Sequence, residues 1–171
     1  MSTDTIIFKY IVVGEMGTGK TSLWNRFIDD ETGTERFLSI NSMYFRDAVC
    51  TFLVYDVSRR KSFNQLTKWL NHTQNLTNPN SLILLIGNKI DLEERVVSRE
   101  EAEEFAQENN LLYTETSTQT GENVNDAFMD MTKKVYELFQ EGKLKITKTQ
   151  TENKINLKTD KSLAKDDGIC C

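Results

Sequence analysis

Apolar residues in this chain fall into short dense runs, and these alternate with segments whose apolar positions recur every three or four residues. The first run, residues 6–13, is β-branched and continuous enough to predict a buried strand. Residues 22–28 put Leu23 and Phe27 on one face, which predicts a helix. The polar stretch 29–36 reads as a turn, and a short helix is expected over 37–45. Residues 48–55 predict a second buried strand, and residues 61–76 a helix carrying Phe63, Leu66, Trp69 and Leu70 along one side. Asn78, Pro79, Asn80 and Ser81 break the chain before a third strand at 82–87. Ser98 followed by Glu101 is a capping box and opens a helix that runs to about residue 109. A fourth strand at 111–116 and a helix at about 123–140 complete the pattern. Strand and helix alternate, so the expected fold is α/β with a doubly wound, mostly parallel sheet and a ligand at the strands' C-terminal ends.

Between the first strand and the first helix stand Gly14, Glu15, Met16, Gly17, Thr18, Gly19, Lys20 and Thr21, which fit the phosphate-loop pattern G-x-x-x-x-G-K-[ST]. A triphosphate needs backbone N–H groups at close range, and glycine lets the chain fold that tightly. The helix dipole behind the loop favours an anion, the Lys20 ammonium can reach the outer phosphates, and the Thr21 hydroxyl can ligate Mg²⁺. A glycine turn that binds nothing is the alternative, and the flanking strand and helix argue against it.

Composition narrows the setting. A chain of 171 residues with net charge −5 is one domain with at most a tail, and its acidity argues against nucleic acid as a main partner. No apolar run approaches the ~20 residues needed to cross a bilayer, and no secretory signal pattern opens the chain, so a cytosolic location is expected. Cys50 reads as a reduced core residue. Residues 142–171 carry seven lysines against four acidic residues and few apolar positions, so a disordered tail is expected from 142 onward, after a domain spanning 1–141. A basic tail suits an anionic membrane, and a solvated linker explains the same charge equally well.

After the third strand come Asn88, Lys89, Ile90 and Asp91. The Asp91 carboxylate can accept two N–H bonds from a purine with N1–H and a 2-amino group, as guanine has, whereas facing adenine it would stay unpaired. Alone the motif is weak; downstream of a phosphate loop and a buried strand it gains force. With the loop, this motif and Ser117, Thr118 and Gln119 after the fourth strand, the chain resembles a small GTPase of the Ras superfamily, and of its Rab branch. Glu35-Arg36-Phe37, Tyr44-Phe45-Arg46, Leu53-Val54-Tyr55-Asp56 and the final Cys170-Cys171 carry the Rab likeness. Thr118 and Gln119 stand where the family has Ala and Lys. The resemblance implies GTP/GDP as ligand with Mg²⁺, Ser22 joining the 14–21 residues at the nucleotide, and geranylgeranyl groups on Cys170 and Cys171. One lipid chain gives only marginal attachment, which suits a pair; two chance cysteines are the alternative, and the other motifs argue against it. It further implies vesicle-mediated transport from the cytosolic face of endomembranes. Exchange factor, GTPase-activating protein, escort protein and dissociation inhibitor are the partners it implies.

The likeness has a gap near 28–34. In the family the first helix leads to a nucleotide-facing loop with a Mg²⁺-ligating Thr, then two strands, then D-x-x-G-Q. Here the chain passes from Ile28 almost directly to Glu35, so the fold is expected to be a P-loop small-GTPase type truncated by two strands, with the first strand left at a sheet edge. Aligned backward, Thr34 takes the place of the catalytic Gln beside Lys20, and Asp30 that of the metal-binding Asp. A helix continuing to Asp30 puts that residue roughly 15 Å from the phosphates, too far to hold Mg²⁺. Thr34 is too short to position water as Gln does, so hydrolysis is expected to be impaired. A non-switching, hydrolysis-deficient guanine-nucleotide-binding or adaptor protein is the alternative.

Overall fold

The computed structural model describes residues 8–31 and 45–146, with side chains over 8–27 and 45–146. The helix expected over 37–45 lies outside them except for Phe45, as do Thr34, Cys170 and Cys171.

Four strands form one sheet: β1 (Tyr10–Val13), β2 (Cys50–Asp56), β3 (Leu82–Asn88) and β4 (Leu112–Thr116). They lie in sequence order and every pairing is parallel, with Val13 beside Leu53, Asp56 beside Asn88 and Asn88 beside Thr116. All seven residues of β2 are buried, as an apolar run covered on both faces must be. Its side chains alternate between two cores. Phe52 and Val54 join Val12, Leu84, Ile86 and Leu23 on one face, while Leu53 and Tyr55 join Ile11, Val13 and Leu85 on the other. Among the described residues β1 ends the sheet, as the missing strands imply.

The helices are α1 (Lys20–Glu31), α2 (Arg60–Asn64), α3 (Leu66–Leu76), α4 (Arg99–Glu108) and α5 (Val124–Gln140). The single helix expected over 61–76 is two, parted at Gln65, whose φ of −83° and ψ of −7° make it a junction rather than a full break. The parts answer to different restraints. Ser62 in α2 is hydrogen-bonded into the end of β2, whereas α3 is seated by its buried stripe of Leu66, Trp69 and Leu70. The Ser98 capping box forms as expected, its side chain accepting from the Glu101 N–H at 3.1 Å.

α1 and α5 share one face, where the Phe27 and Phe128 rings stack at 4.2 Å. α3, α4 and Phe45 lie on the other, the Phe45 ring edge-on to His72 at 5.2 Å. The β2-to-β3 and β3-to-β4 connections step the same way across the sheet with their helices on that second face. The β1-to-β2 connection takes the same step with α1 on the opposite face. α1 thus ends on one face, and the described chain resumes with Phe45 on the other.

The domain boundary expected at 141 falls short. Gly142, at φ 70°, turns the chain out of α5, and the N–H groups of Lys143 and Leu144 both reach the Leu138 carbonyl. Leu144 is then 2 % exposed in the core, and the side-chain amides of Asn78 and Asn80 donate to the carbonyls of Lys145 and Lys143. Tail character read from composition therefore starts no earlier than 147, because Leu144 has apolar company that a composition count does not register. Among the described residues no helix is long and apolar enough to cross a membrane.

Candidate functional site

The C-terminal ends of β1, β2, β3 and β4 converge on the loop that follows β1. At Gly14 φ is 147°, and a Cβ would stand 2.1 Å from the Val54 carbonyl oxygen, so no other residue fits between the loop and β2. At Gly19, φ 92°, a Cβ would meet the Asn88 amide nitrogen at 2.3 Å. That amide donates to the Thr18 carbonyl at 2.9 Å, and its oxygen accepts from the Thr116 hydroxyl at 3.0 Å. Asn88, read from sequence as a nucleotide-site residue, thus serves here to tie the loop to β3 and β4. The Thr18 hydroxyl caps the loop from within by donating to the Glu15 carbonyl at 2.9 Å.

Lys20, 4 % exposed, begins α1 and turns its ammonium back onto the carbonyls of Gly14 and Glu15 at 2.9 and 2.8 Å. Its charge is thereby placed in the hollow of the loop. Lys89, at φ 71°, donates to the Gly17 carbonyl at 2.8 Å and pairs with Asp56 at 2.7 Å. Phosphate loop and base motif are thus joined through one side chain.

Asp91 is exposed beyond β3, where its Oδ1 accepts from the Ser117 hydroxyl at 2.6 Å. Ser117 also takes the Thr120 N–H at 3.1 Å, which closes the loop after β4. Thr118 lies half-exposed, its hydroxyl 3.9 Å from the Cβ position of Gly19, while Gln119 is exposed. The 117–119 loop therefore stands between the base motif and the phosphate loop.

Residues that sequence reasoning passed over hold these parts together. Glu115 accepts two bonds from Arg95 at 2.7 and 3.1 Å and one from Tyr113 at 2.8 Å. The Asn123 amide donates to the Glu115 carbonyl at 2.9 Å. Burial pushes the Glu115 carboxyl up, but the bonds from Arg95 and Tyr113 outweigh it and hold the group below the usual carboxylate range. Burial raises Tyr55 to about 12, its hydroxyl lying 3.2 Å from that of Tyr113. Buried Asp56 behaves like Glu115: burial raises it, and Lys89 and Ser58 together bring it below the ordinary value. Asp56 ends the Leu53-Val54-Tyr55-Asp56 stretch that carries family likeness, yet nothing local in the chain marks its partners or those of Glu115.

The metal set is thin. Thr21 lies in the first turn of α1. α1 continues unbroken through Asp30, so the helix does not unwind to bring that residue back, and about ten residues of rise, roughly 15 Å, separate it from the loop. Asp30, aligned with the family's metal-binding Asp, therefore stays in α1 away from the loop. Among the described residues no group of three or more His, Cys, Asp or Glu side chains could hold a metal ion. Mg²⁺ on a nucleotide keeps waters and phosphate oxygens as most of its ligands, so one hydroxyl is compatible with it.

Residues 28–137 match the Ras family. The chain belongs to that family. It is a small GTPase by descent, with the P-loop type of parallel α/β fold and, as membership implies, GTP/GDP and Mg²⁺ as its ligands. The match begins after Thr21, so the 14–21 loop rests on its own geometry: three glycines at positive φ, a buried lysine and a helix behind them. Base motif, Glu115 network and α5 through Glu137 all fall within the matched stretch.

Proposed function

We propose that the chain is a Rab-type small GTPase that binds GDP and GTP between the 14–21 loop and Asp91. The observation that carries this reading is the Lys89 ammonium, which links the base motif to the Gly17 carbonyl and so makes two half-sites into one. The loop with Lys20 and Thr21 takes the phosphates, Thr21 would hold Mg²⁺ together with phosphate oxygens and water, and Mg²⁺ would neutralise phosphate charge there. Asp91 accepts from guanine N1–H and the 2-amino group while Ser117 keeps its carboxylate oriented. Cys170 and Cys171 take geranylgeranyl groups, and the basic tail holds the protein at the cytosolic face of endomembranes in vesicle traffic. Exchange factor, GTPase-activating protein, escort protein and dissociation inhibitor are its partners.

Fluorescent GDP should bind the purified protein and be displaced by GTP but not by ATP. Asp91→Ala should weaken GDP binding by at least tenfold, the order expected when a charged hydrogen-bond pair is lost. Displacement by ATP as readily as by GTP would sink the guanine assignment. Incorporation of labelled geranylgeranyl into the parent but not into a Cys170→Ser, Cys171→Ser variant tests the anchor.

The unbroken run of α1 past Asp30 favours a second reading, a guanine-nucleotide binder that does not switch or turn over. Single-turnover hydrolysis should then be far slower than in an intact relative, and GDP and GTP should leave the protein in one conformation. Mg²⁺-dependent exchange with two distinct conformations supports the switch instead.

A further inference from the structure

One cluster stands against the phosphate loop from the side of β2 and α2. The turn between β2 and α2 is organised by Asp56, 1 % exposed. Its Oδ1 accepts from the N–H and hydroxyl of Ser58 at 2.9 and 2.6 Å, its Oδ2 holds the Lys89 ammonium at 2.7 Å, and its carbonyl takes the Arg59 N–H at 3.0 Å. Ser62 fastens the same turn from α2, accepting the Asp56 N–H at 3.0 Å and donating to the Arg59 carbonyl at 2.7 Å. Thus fixed, the turn sends Arg59 onto one carbonyl of the loop and, through Asp56, holds Lys89 from the end of β3 onto the next. Arg59 Nη2 donates to Met16 at 2.7 Å, and Lys89 Nζ to Gly17 at 2.8 Å. Glycine at 17 leaves room for this approach, since a Cβ there would lie 2.8 Å from Arg59 Nη1.

The direction of those carbonyls matters. In a trans peptide the C=O and the N–H that follows it point in opposite directions, and the described chain has no cis bond. Holding the Met16 and Gly17 oxygens toward the turn therefore aims the N–H groups of Gly17 and Thr18 the other way. Such donors are what a backbone nest offers to an anion.

We propose that Asp56 and Arg59 are positioning residues, an outer clamp that holds the 14–21 loop in its anion-binding form and sets how slowly bound GDP leaves. The clamp rests on the guanine-nucleotide reading above and deepens it. Asp56 acts through Lys89 and Ser58; Arg59 acts through the Met16 carbonyl. Both bonds to the loop come from cations, which makes them stronger than neutral ones.

The test is GDP dissociation from the full chain loaded with a fluorescent GDP. Arg59→Ala should speed release about tenfold and Asp56→Asn up to about a hundredfold, the range for one and for several charge-assisted hydrogen bonds. Arg59→Lys, which can still donate to Met16, should recover most of the parent rate. The melting temperature of nucleotide-free Arg59→Ala should fall only slightly, by the loss of one exposed bond, and the increment that GDP adds should shrink. Release at the parent rate from Arg59→Ala overturns the clamp. A lower nucleotide-free melting temperature with unchanged release does so too, by reducing Arg59 to a structural contact. Should Asp56→Asn not fold, the two Arg59 variants decide the matter. A parent chain that binds neither GDP nor GTP defeats the nucleotide reading first, before any variant is compared.

Discussion

Glu115 illustrates how far one carboxylate can reach in this site. It fixes the loop beyond Asp91 through Arg95, and its own carbonyl receives Asn123 at the start of α5. Its carboxyl is held below the ordinary range in the folded protein, so the folded state binds its proton more weakly than the unfolded chain does. The resulting stabilisation is complete above the unfolded carboxylate value of about 4 and is lost as pH falls through the lower folded value. Asp56 adds to the same trend. Glu115→Gln should cost about 1–3 kcal/mol at neutral pH by urea unfolding and should flatten the acid limb of the stability curve. An acid limb as steep as the parent's would assign the loss to other carboxylates. None of this was legible along the chain, because Arg95 belongs to the loop after β3 and Glu115 to β4, and they meet only once β3 and β4 are paired.

At the scale of elements, apolar periodicity located every described strand and helix, with ends displaced by at most four residues. It misjudged two places for the same reason. The split at Gln65 arises because the end of β2 claims Ser62, and the extension past 141 arises because Leu144 enters the core that Leu138 and Leu82 also flank. Helical spacing continues smoothly through Gln65, and a single leucine among lysines and threonines looks solvated. Leu144→Ala should lower stability by about 2–5 kcal/mol in denaturant unfolding, as for other fully buried leucines. Asn80→Ala, which removes the bond to the Lys143 carbonyl, should cost about 0.5–1.5 kcal/mol. If Leu144→Ala melts like the parent, residues 143–146 are a loose appendage.

For the whole molecule, the consequence of the short β1-to-β2 connection is an edge. β1 closes the described sheet on one side, and its outer backbone has no strand beside it among the described residues. Edges of that kind template pairing with other chains, so sedimentation velocity should show association that grows with concentration. A single monomeric species across the range would show that the edge is covered. The sequence by itself determined the alternation of buried strands and amphipathic helices, the glycine loop with Lys20 and Thr21, and the Asn88–Asp91 motif after β3. These follow from side-chain period, from positive φ and from functional-group chemistry, which all act within a few residues. Only the tertiary structure decided that α1 and Phe45 lie on opposite faces, that Asp30 stays in the helix away from the loop, and that Lys89 spans base and phosphate halves. It also decided that Asp56 and Arg59 stand behind the loop. Each of those depends on which distant residues the folded sheet brings to one end, and no local pattern carries that distance.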